Sequence, residues 1–284
     1  MITLSPTSEI LKINEIIVPS FTIPSITFQA WGTIVAIGVI LALLLIYKKA
    51  KQKKVYHEIN GLIFLTTLFA LIGARIAYIA INLGQFSDFM SMMDIWEGGL
   101  IGWGAILGGI LGILIFKIST KIKSKDLFYL LELMAPYIAL AFAIGRIGCF
   151  VRGCCFGIPT NLPWGILYTG NSHAAQAGIL TAVHPTQIYH AILDFIIFII
   201  LLKANKRKET LEKKNKLKNS ILGIGGFTFL LFLMLYSTER FFIDFLRWHP
   251  ASEYIGTLTI TQTVYFFVFV IAFLLTRKIK KKNK

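Results

Sequence analysis

Charge is scarce in this chain. Only 15% of its 284 residues are Asp, Glu, Lys or Arg, while 56% are hydrophobic and the mean hydropathy is +0.70. Soluble domains carry about a quarter charged residues, so an ordinary soluble enzyme is excluded. Acids are scarcer still, with 14 Asp and Glu against 29 Lys and Arg and a formal net charge of +15. Cysteine is limited to Cys149, Cys154 and Cys155, which do not make a disulfide framework. A bond between the adjacent Cys154 and Cys155 would be strained, whereas Cys149 with either one is placed to oxidise on an outer surface, where disulfides persist. The C-x4-C-C spacing is not that of a zinc site, and no metal site is expected. Residues 1–26 lack a cationic leader and a small-residue cleavage site. They read as an outer-surface segment, a short interfacial helix rather than a signal peptide.

What the chain does have is long apolar runs, each about 20 residues and long enough to span a bilayer. Seven spans are predicted, at about 27–47, 60–82, 99–117, 127–145, 186–203, 220–242 and 259–276. The expected fold is therefore all-α: a polytopic membrane protein forming one membrane-embedded domain over 1–284. All but six of the Lys and Arg residues follow the first, third, fifth and seventh spans, including the tail 277–284. The positive-inside rule makes those ends cytoplasmic and puts the N-terminus outside. Charge placed this way orients a membrane protein and does not point to nucleic acid. The inner loop 203–218 also favours anionic lipid.

The six remaining cations are Lys12, Arg75, Arg146, Arg152, Arg240 and Arg247. The outer half thus uses arginine, whose planar fork suits phosphate; single arginines also snorkel to headgroups. Gly145–Gly157 concentrates two arginines, four glycines and all three cysteines in the long outer segment 146–185 and the end of the preceding span. An ionisable residue at bilayer depth costs roughly 2.5–3.5 kcal/mol and marks function by default, so this stretch reads as the floor of an anion site. Arg75 and Tyr78 share a helix face. Glu132, an acid in an apolar run, is expected to pair with an arginine such as Arg75. Arg240, Asp244 and Arg247 stand at i, i+4 and i+7, on one face of a continuing helix. Gly104, Gly108 and Gly112 form a close-packing face for a neighbouring helix.

The chain resembles the prolipoprotein diacylglyceryl transferase family over nearly its whole length. The likeness rests on Gly145-Arg146-Ile147-Gly148-x-Phe150 through Gly157-x-Pro159-Thr160, on His184-Pro185-Thr186-Gln187-Ile188-Tyr189 and on Arg240-Phe241-x-x-Asp244-Phe245-x-Arg247. Gly73-x-Arg75-Ile76-x-Tyr78 and Trp96-x-Gly98-Gly99 match as well. The resemblance implies transfer of the diacylglyceryl group of phosphatidylglycerol to the lipobox cysteine of a prolipoprotein, releasing glycerol phosphate. It implies a bacterial inner-membrane location, a site toward the outer leaflet, and neither a metal nor an organic cofactor. Arg146 and Arg240 are the implied phosphate-binding residues, with Asp244 and Arg247 holding Arg240 or lining the site. His184 and Glu239 are candidate bases. Arg75, Tyr78, Gly98, Gly99, Trp103, Cys149, Cys154, Gly157, Gln187 and Tyr189 complete the expected substrate-binding set. The chain departs from the family pattern at Trp103, where a histidine is usual, at Cys149 for Asn, at Cys154 for an acid, and at Trp31 for Tyr. Two alternatives accompany the reading. One is a divergent member with another acceptor or a Cys149 or Cys154 nucleophile. The other is a non-catalytic phospholipid-binding or thiol–disulfide membrane protein.

Overall fold

Uninterrupted apolar runs fold as helices because a helix satisfies its own backbone hydrogen bonds in lipid. The computed structural model describes residues 11–12, 22–23, 26–27, 30–86, 88–93, 99, 101–169, 172–216 and 221–282. Its long helices are α1 (Ala30–Lys53), α2 (Tyr56–Ile81), α3 (Gly102–Thr120), α4 (Ser124–Arg152), α5 (Thr186–Lys213), α6 (Phe227–Ile243) and α7 (Ile260–Lys282). Among the described residues six helices are long and apolar enough to cross a membrane. The remaining long helix, α6, has 17 residues. The chain is thus a mostly helical, polytopic membrane protein. The interfacial helix expected within 1–26 is not seen in the described parts. Leu11–Lys12 pairs in parallel with Ile166–Leu167, and Thr22–Ile23 pairs with Ile26–Thr27; the rest of that segment lies outside the described residues.

The chain divides into two compact units, Tyr47–Leu131 and the combination of Met1–Ile46 with Glu132–Lys284. In the first, α2 and α3 meet backbone to backbone. A Cβ at Gly104, Gly108 or Gly112 would overlap the carbonyl oxygen of Gly73, Phe69 or Leu65 respectively. The sequence spacing of four therefore does what small residues do in lipid, where close van der Waals contact replaces the hydrophobic drive. Large side chains such as Phe64, Ile76, Ile106 and Leu107 stay exposed on the outside of this pair, as expected of lipid-facing surface.

In the second unit, Ala135 and Ala139 of α4, Ile197 and Leu201 of α5 and Phe232 of α6 form a buried core. Glu132 anchors one end of it. Both its oxygens accept from Lys208 Nζ at 2.8 Å, and Oε2 also accepts from the Gly226 N–H at 3.0 Å. The Thr228 hydroxyl lies 3.0 Å from Glu132 Oε1 and 2.7 Å from Asn205 Oδ1. The expected Arg75–Glu132 pair is thereby corrected: a lysine long enough to reach along α5 neutralises the acid, and α6 adds the donors of its first turn.

The segment after α4 is a small folded cap rather than a loose loop. Phe156, Ile166, Tyr168, Ala174 and Val183 form its core, with Phe150 and Trp248 against it. Backbone bonds lace it together. Ile166 and Val183 exchange both bonds, Gly157 N–H donates to His184 O at 2.9 Å, and Ile158 N–H donates to Leu246 O at 2.9 Å. Gly157 is required here, since a Cβ would stand 2.6 Å from both His184 Cβ and Leu246 O. α6 ends at Ile243, and Asp244–Leu246 turns as a 3-10 helix into extended Arg247. The expected helical face through Arg240, Asp244 and Arg247 is therefore broken, because the chain must leave the helix to pair with Phe156–Ile158.

Gly108→Val should lower the thermal unfolding midpoint in detergent by an amount equivalent to about 1–3 kcal/mol, the usual cost of overpacking. Gly102→Ala, where a Cβ meets nothing within 4 Å, should leave it unchanged. Equal melting of Gly108→Val and wild type would show that α2 and α3 do not depend on this contact.

Candidate functional site

Three helix ends of the second unit bring ionisable groups together. Arg146 lies toward the C-terminal end of α4. His190 and Asp194 lie in the first turns of α5, on one face with Gln187. Glu239 and Arg240 close α6. His190, Asp194, Glu239 and Arg240 are buried, with Asp194 and His190 at 0% exposure. Arg146 is half-buried.

The hydrogen bonds run in one direction. Arg240 Nη1 lies 3.3 Å from His190 Nε2, and His190 Nδ1 contacts Glu239 Oε1. A guanidinium only donates, so Nε2 accepts, Nδ1 carries the imidazole proton, and Glu239 Oε1 accepts from it. Glu239 Oε2 is left without a hydrogen-bond partner, as are Arg240 Nε and both oxygens of Asp194. The Arg240 guanidinium also lies over the Tyr265 ring, 5.4 Å from its centroid. Arg146 makes no hydrogen bond or ion pair among the described residues. Its electrostatic neighbours are Tyr236, Cys155, Asp194 and Cys149. Asp194 in turn feels Arg146 and Arg240. Two guanidiniums and two carboxyl groups thus stand close together with several of their hydrogen-bonding atoms unused.

Next to them stands a polar rim. Gln187 Nε2 donates to Cys154 O at 2.7 Å and to the Tyr168 hydroxyl at 3.2 Å. Thr186 Oγ1 donates to Cys155 O at 2.7 Å. The Tyr189 hydroxyl accepts from Trp164 Nε1 at 2.8 Å and lies 3.3 Å from His184 Nδ1. Burial lowers the pKa of His184, so the ring is neutral at neutral pH. The three cysteines are free and half-buried, with their sulfurs all within 4.8 Å of one another.

Asp244 is close enough to Arg240 to feel its charge, and its other contacts lie with the segment that follows α6. Asp244 Oδ1 stands 3.0 Å from His249 Nε2 as an ion-pair contact, its other oxygen accepts from the Thr259 hydroxyl, and Arg247 Nη1 stands 3.9 Å from Oδ1. His249 Nδ1 also meets Glu253 Oε2 at 2.6 Å. Arg152 is engaged elsewhere, over the Trp31 ring at 4.9 Å and with Nε donating to His173 Nε2 at 3.0 Å.

Arg75 belongs to the first unit. Its Nε, Nη2 and Nη1 donate to Met92 O at 2.8 Å, Ser91 O at 3.0 Å and Gly99 O at 3.3 Å, and its guanidinium lies 5.5 Å from the Tyr78 ring centroid. Gly99 has φ +77°, and a Cβ there would stand 2.5 Å from the Tyr78 ring and 2.8 Å from Arg75 Nη1. Trp103 opens α3 and is exposed. Gly98 lies outside the described residues.

The expected set thus brings together Arg146, Glu239 and Arg240, with Cys149 near Arg146; Gln187 is bonded to Cys154, and Gly157, His184 and Tyr189 contact one another. His190 and Asp194 were not among the expected site residues. Their signal was present: two ionisable groups four apart on an otherwise apolar helix, in phase with Gln187.

Comparison with known proteins matches residues 19–277 to the family described as "Prolipoprotein diacylglyceryl transferase". A phosphatidylglycerol–prolipoprotein diacylglyceryl transferase of Clostridioides difficile (strain 630) is 33% identical over 267 residues, covering 93% of this chain and 96% of the relative. A second enzyme of that description from Clostridium perfringens (strain 13 / Type A) is 32% identical, covering 90% and 92%. One from Clostridium tetani (strain Massachusetts / E88) is 30% identical, covering 88% and 93%.

The His249–Asp244 pair predicts a pH dependence. Burial acts to lower the pKa of His249, but the bonds to Asp244 and Glu253 outweigh it and raise the value above the ordinary 6.5. Asp244, beside His249 and bonded to Thr259, is held below its ordinary value despite burial. The stabilising contribution of His249 is complete below pH 6.5 and disappears as pH rises through the raised value. His249→Gln should therefore lower the unfolding midpoint more at pH 6 than at pH 9. An equal loss at both would assign the residue to packing alone.

Proposed function

Since the chain belongs to the prolipoprotein diacylglyceryl transferase family, it transfers the diacylglyceryl group of phosphatidylglycerol to the cysteine of a prolipoprotein, and we propose that the transfer takes place in the Arg146–Asp194–Glu239–Arg240 cluster. The observation that carries this is a pair of arginines beside Asp194 with donors unused: Arg146 makes no hydrogen bond or ion pair among the described residues, and Arg240 Nε has no hydrogen-bond partner there.

The reaction forms a C–S bond at the glyceryl carbon and breaks the C–O bond to phosphate. The thiol loses a proton, and glycerol phosphate leaves with one more negative charge than it had as a diester. Arg146 and Arg240 meet that developing charge in a low-dielectric setting, where fixed donors are most effective. The thiol proton needs an acceptor, and the hydrogen-bonded sequence Arg240–His190–Glu239 leaves Glu239 Oε2 to take it. Arg240 then both binds the leaving group and orients the imidazole that holds the base. His184, neutral and linked to Tyr189, is the second titratable group. Cys149, Cys154, Gly157, Gln187 and Tyr189 line the approach, Asp244 and Arg247 shape the end of α6, and Arg75, Tyr78, Gly98, Gly99 and Trp103 contribute to substrate binding from their own unit. A cysteine of the enzyme as nucleophile is disfavoured, because the thioether it would form has no better leaving group to offer the next acceptor.

The seven long helices are read as seven crossings of the bacterial inner membrane within one membrane-embedded domain. The N-terminus is outside, the lysine-rich connections and the tail 277–284 are cytoplasmic, and the site faces the outer leaflet. The alternation of lysine clusters supports this orientation, and a site at that depth is open to two membrane-borne substrates.

Purified protein mixed with phosphatidylglycerol and a peptide carrying one lipobox cysteine should add a diacylglyceryl mass to the peptide. Arg146→Gln should lower kcat about 10²–10³-fold, the range for a lost oxyanion donor. Glu239→Gln should lower kcat further than His184→Ala does; the reverse order would make His184 the base. A peptide mass unchanged by wild-type protein would remove the reading.

A further inference from the structure

The three cysteines take no chemical step in the transfer as derived, yet the fold gathers them closely. Cys149 closes a turn near the end of α4, and Cys154 and Cys155 follow it in the cap. Their sulfur atoms lie within 4.8 Å of one another. A trigonal site with metal–sulfur bonds of about 2.3 Å has sulfurs about 4 Å apart, so only a small contraction separates the cluster from that geometry.

The surrounding bonds fix this arrangement before anything binds. Cys154 N–H donates to Cys149 O at 3.2 Å, a bond that persists when the thiols lose their protons to solvent on metal binding. Gly153 and Cys155 both have left-handed backbones, φ +67° and +58°, which turn the chain so that both later thiols face the first. Gln187 and Thr186 of α5 then hold the Cys154 and Cys155 carbonyls. Supporting bonds of this kind orient ligands in metal sites.

Coordination number and charge choose the ion. Among the described residues no fourth His, Cys, Asp or Glu joins the group, whereas structural zinc takes four ligands. Soft thiolates select Cu(I) among the alternatives. Three thiolates around one monovalent cation carry two negative charges, and Arg146 and Arg247 both act electrostatically on Cys155.

We propose that Cys149, Cys154 and Cys155 form a three-thiolate site for a soft monovalent d10 cation, with Cu(I) as its natural probe. Occupied, the site ties the end of α4 to the cap directly beside Arg146. This holds whether or not the neighbouring cluster is the transferase site.

The test uses the full chain in detergent under anaerobic conditions. Cu(I) is titrated in competition with bicinchoninate, and the bound ion is characterised by X-ray absorption. One Cu(I) per chain with three sulfur neighbours is expected. Each of Cys149→Ala, Cys154→Ala and Cys155→Ala should weaken binding at least as much as the roughly 10–100-fold seen when a supporting contact alone is lost, with the helical circular dichroism signal retained. The proposal is overturned if bicinchoninate keeps the Cu(I), if the wild-type ion has fewer than three sulfur neighbours, or if the triple Ala variant retains as much Cu(I) as wild type. It is also overturned if anaerobically purified protein has only one titratable thiol, because a disulfide would then hold the cluster.

Discussion

Charge placed where the chain is otherwise apolar is the constraint on which the rest depends. A guanidinium or carboxylate at bilayer depth costs roughly 2.5–3.5 kcal/mol, and removing one partner of a buried pair costs more than the pair is worth. The second unit meets this by compensation. Arg146 and Arg240 are balanced by Asp194 and Glu239, and His190 is interposed so that Arg240 donates toward Glu239 rather than collapsing onto it. What survives among the described residues is an unpartnered oxygen on Glu239, two on Asp194 and an unused Nε donor on Arg240. A fully paired network would be more stable and would have nothing left to offer a phosphate.

The remaining architecture holds three helix ends in place. Glu132 collects a lysine from α5 and the first-turn donors of α6, which fixes α4, α5 and α6 at the end remote from Arg146. The apolar core of Ala135, Ala139, Ile197, Leu201 and Phe232 lies between the two polar ends. The cap closes the near end. Gly157 lets His184 and Leu246 approach its backbone, and Phe156 stacks on Trp248 with ring centroids 5.5 Å apart. The stretch after α6 is thereby tied to the stretch after α4. Asp244, about one turn after Arg240 and just past the end of α6, also organises His249 and Thr259 at the start of α7.

Much of this was legible in the sequence, for identifiable reasons. Helix positions followed from run length, and the packing of α2 on α3 followed from glycines spaced by four; both are local patterns. The family motifs pointed to Arg146 and Arg240, and Glu239 was a candidate base from its place beside Arg240. Partners were harder to read. Arg75 was matched to Glu132 because both are ionisable and intramembrane, but which helices adjoin is a long-range property. Lys208 claims Glu132, while Arg75 binds the carbonyls of Ser91, Met92 and Gly99. The face drawn through Arg240, Asp244 and Arg247 assumed a helix that ends at Ile243, with no Gly or Pro nearby to signal the break. Cys149 and Cys154 are five apart, a spacing that suggests nothing until the left-handed turn at Gly153 and Cys155 brings the three sulfurs together.

Phosphate recognition by the paired arginines is the claim on which the functional account stands, and it can be measured without turnover. Native mass spectrometry of the detergent-released protein, supplied with equal amounts of phosphatidylglycerol and the uncharged diacylglycerol, should show one phosphatidylglycerol retained per chain and no diacylglycerol. Replacing Arg146 and Arg240 together by Gln should abolish that preference while leaving the fold intact. If the double variant holds phosphatidylglycerol as selectively as the wild type, the headgroup is bound elsewhere and the cluster is not the transfer site.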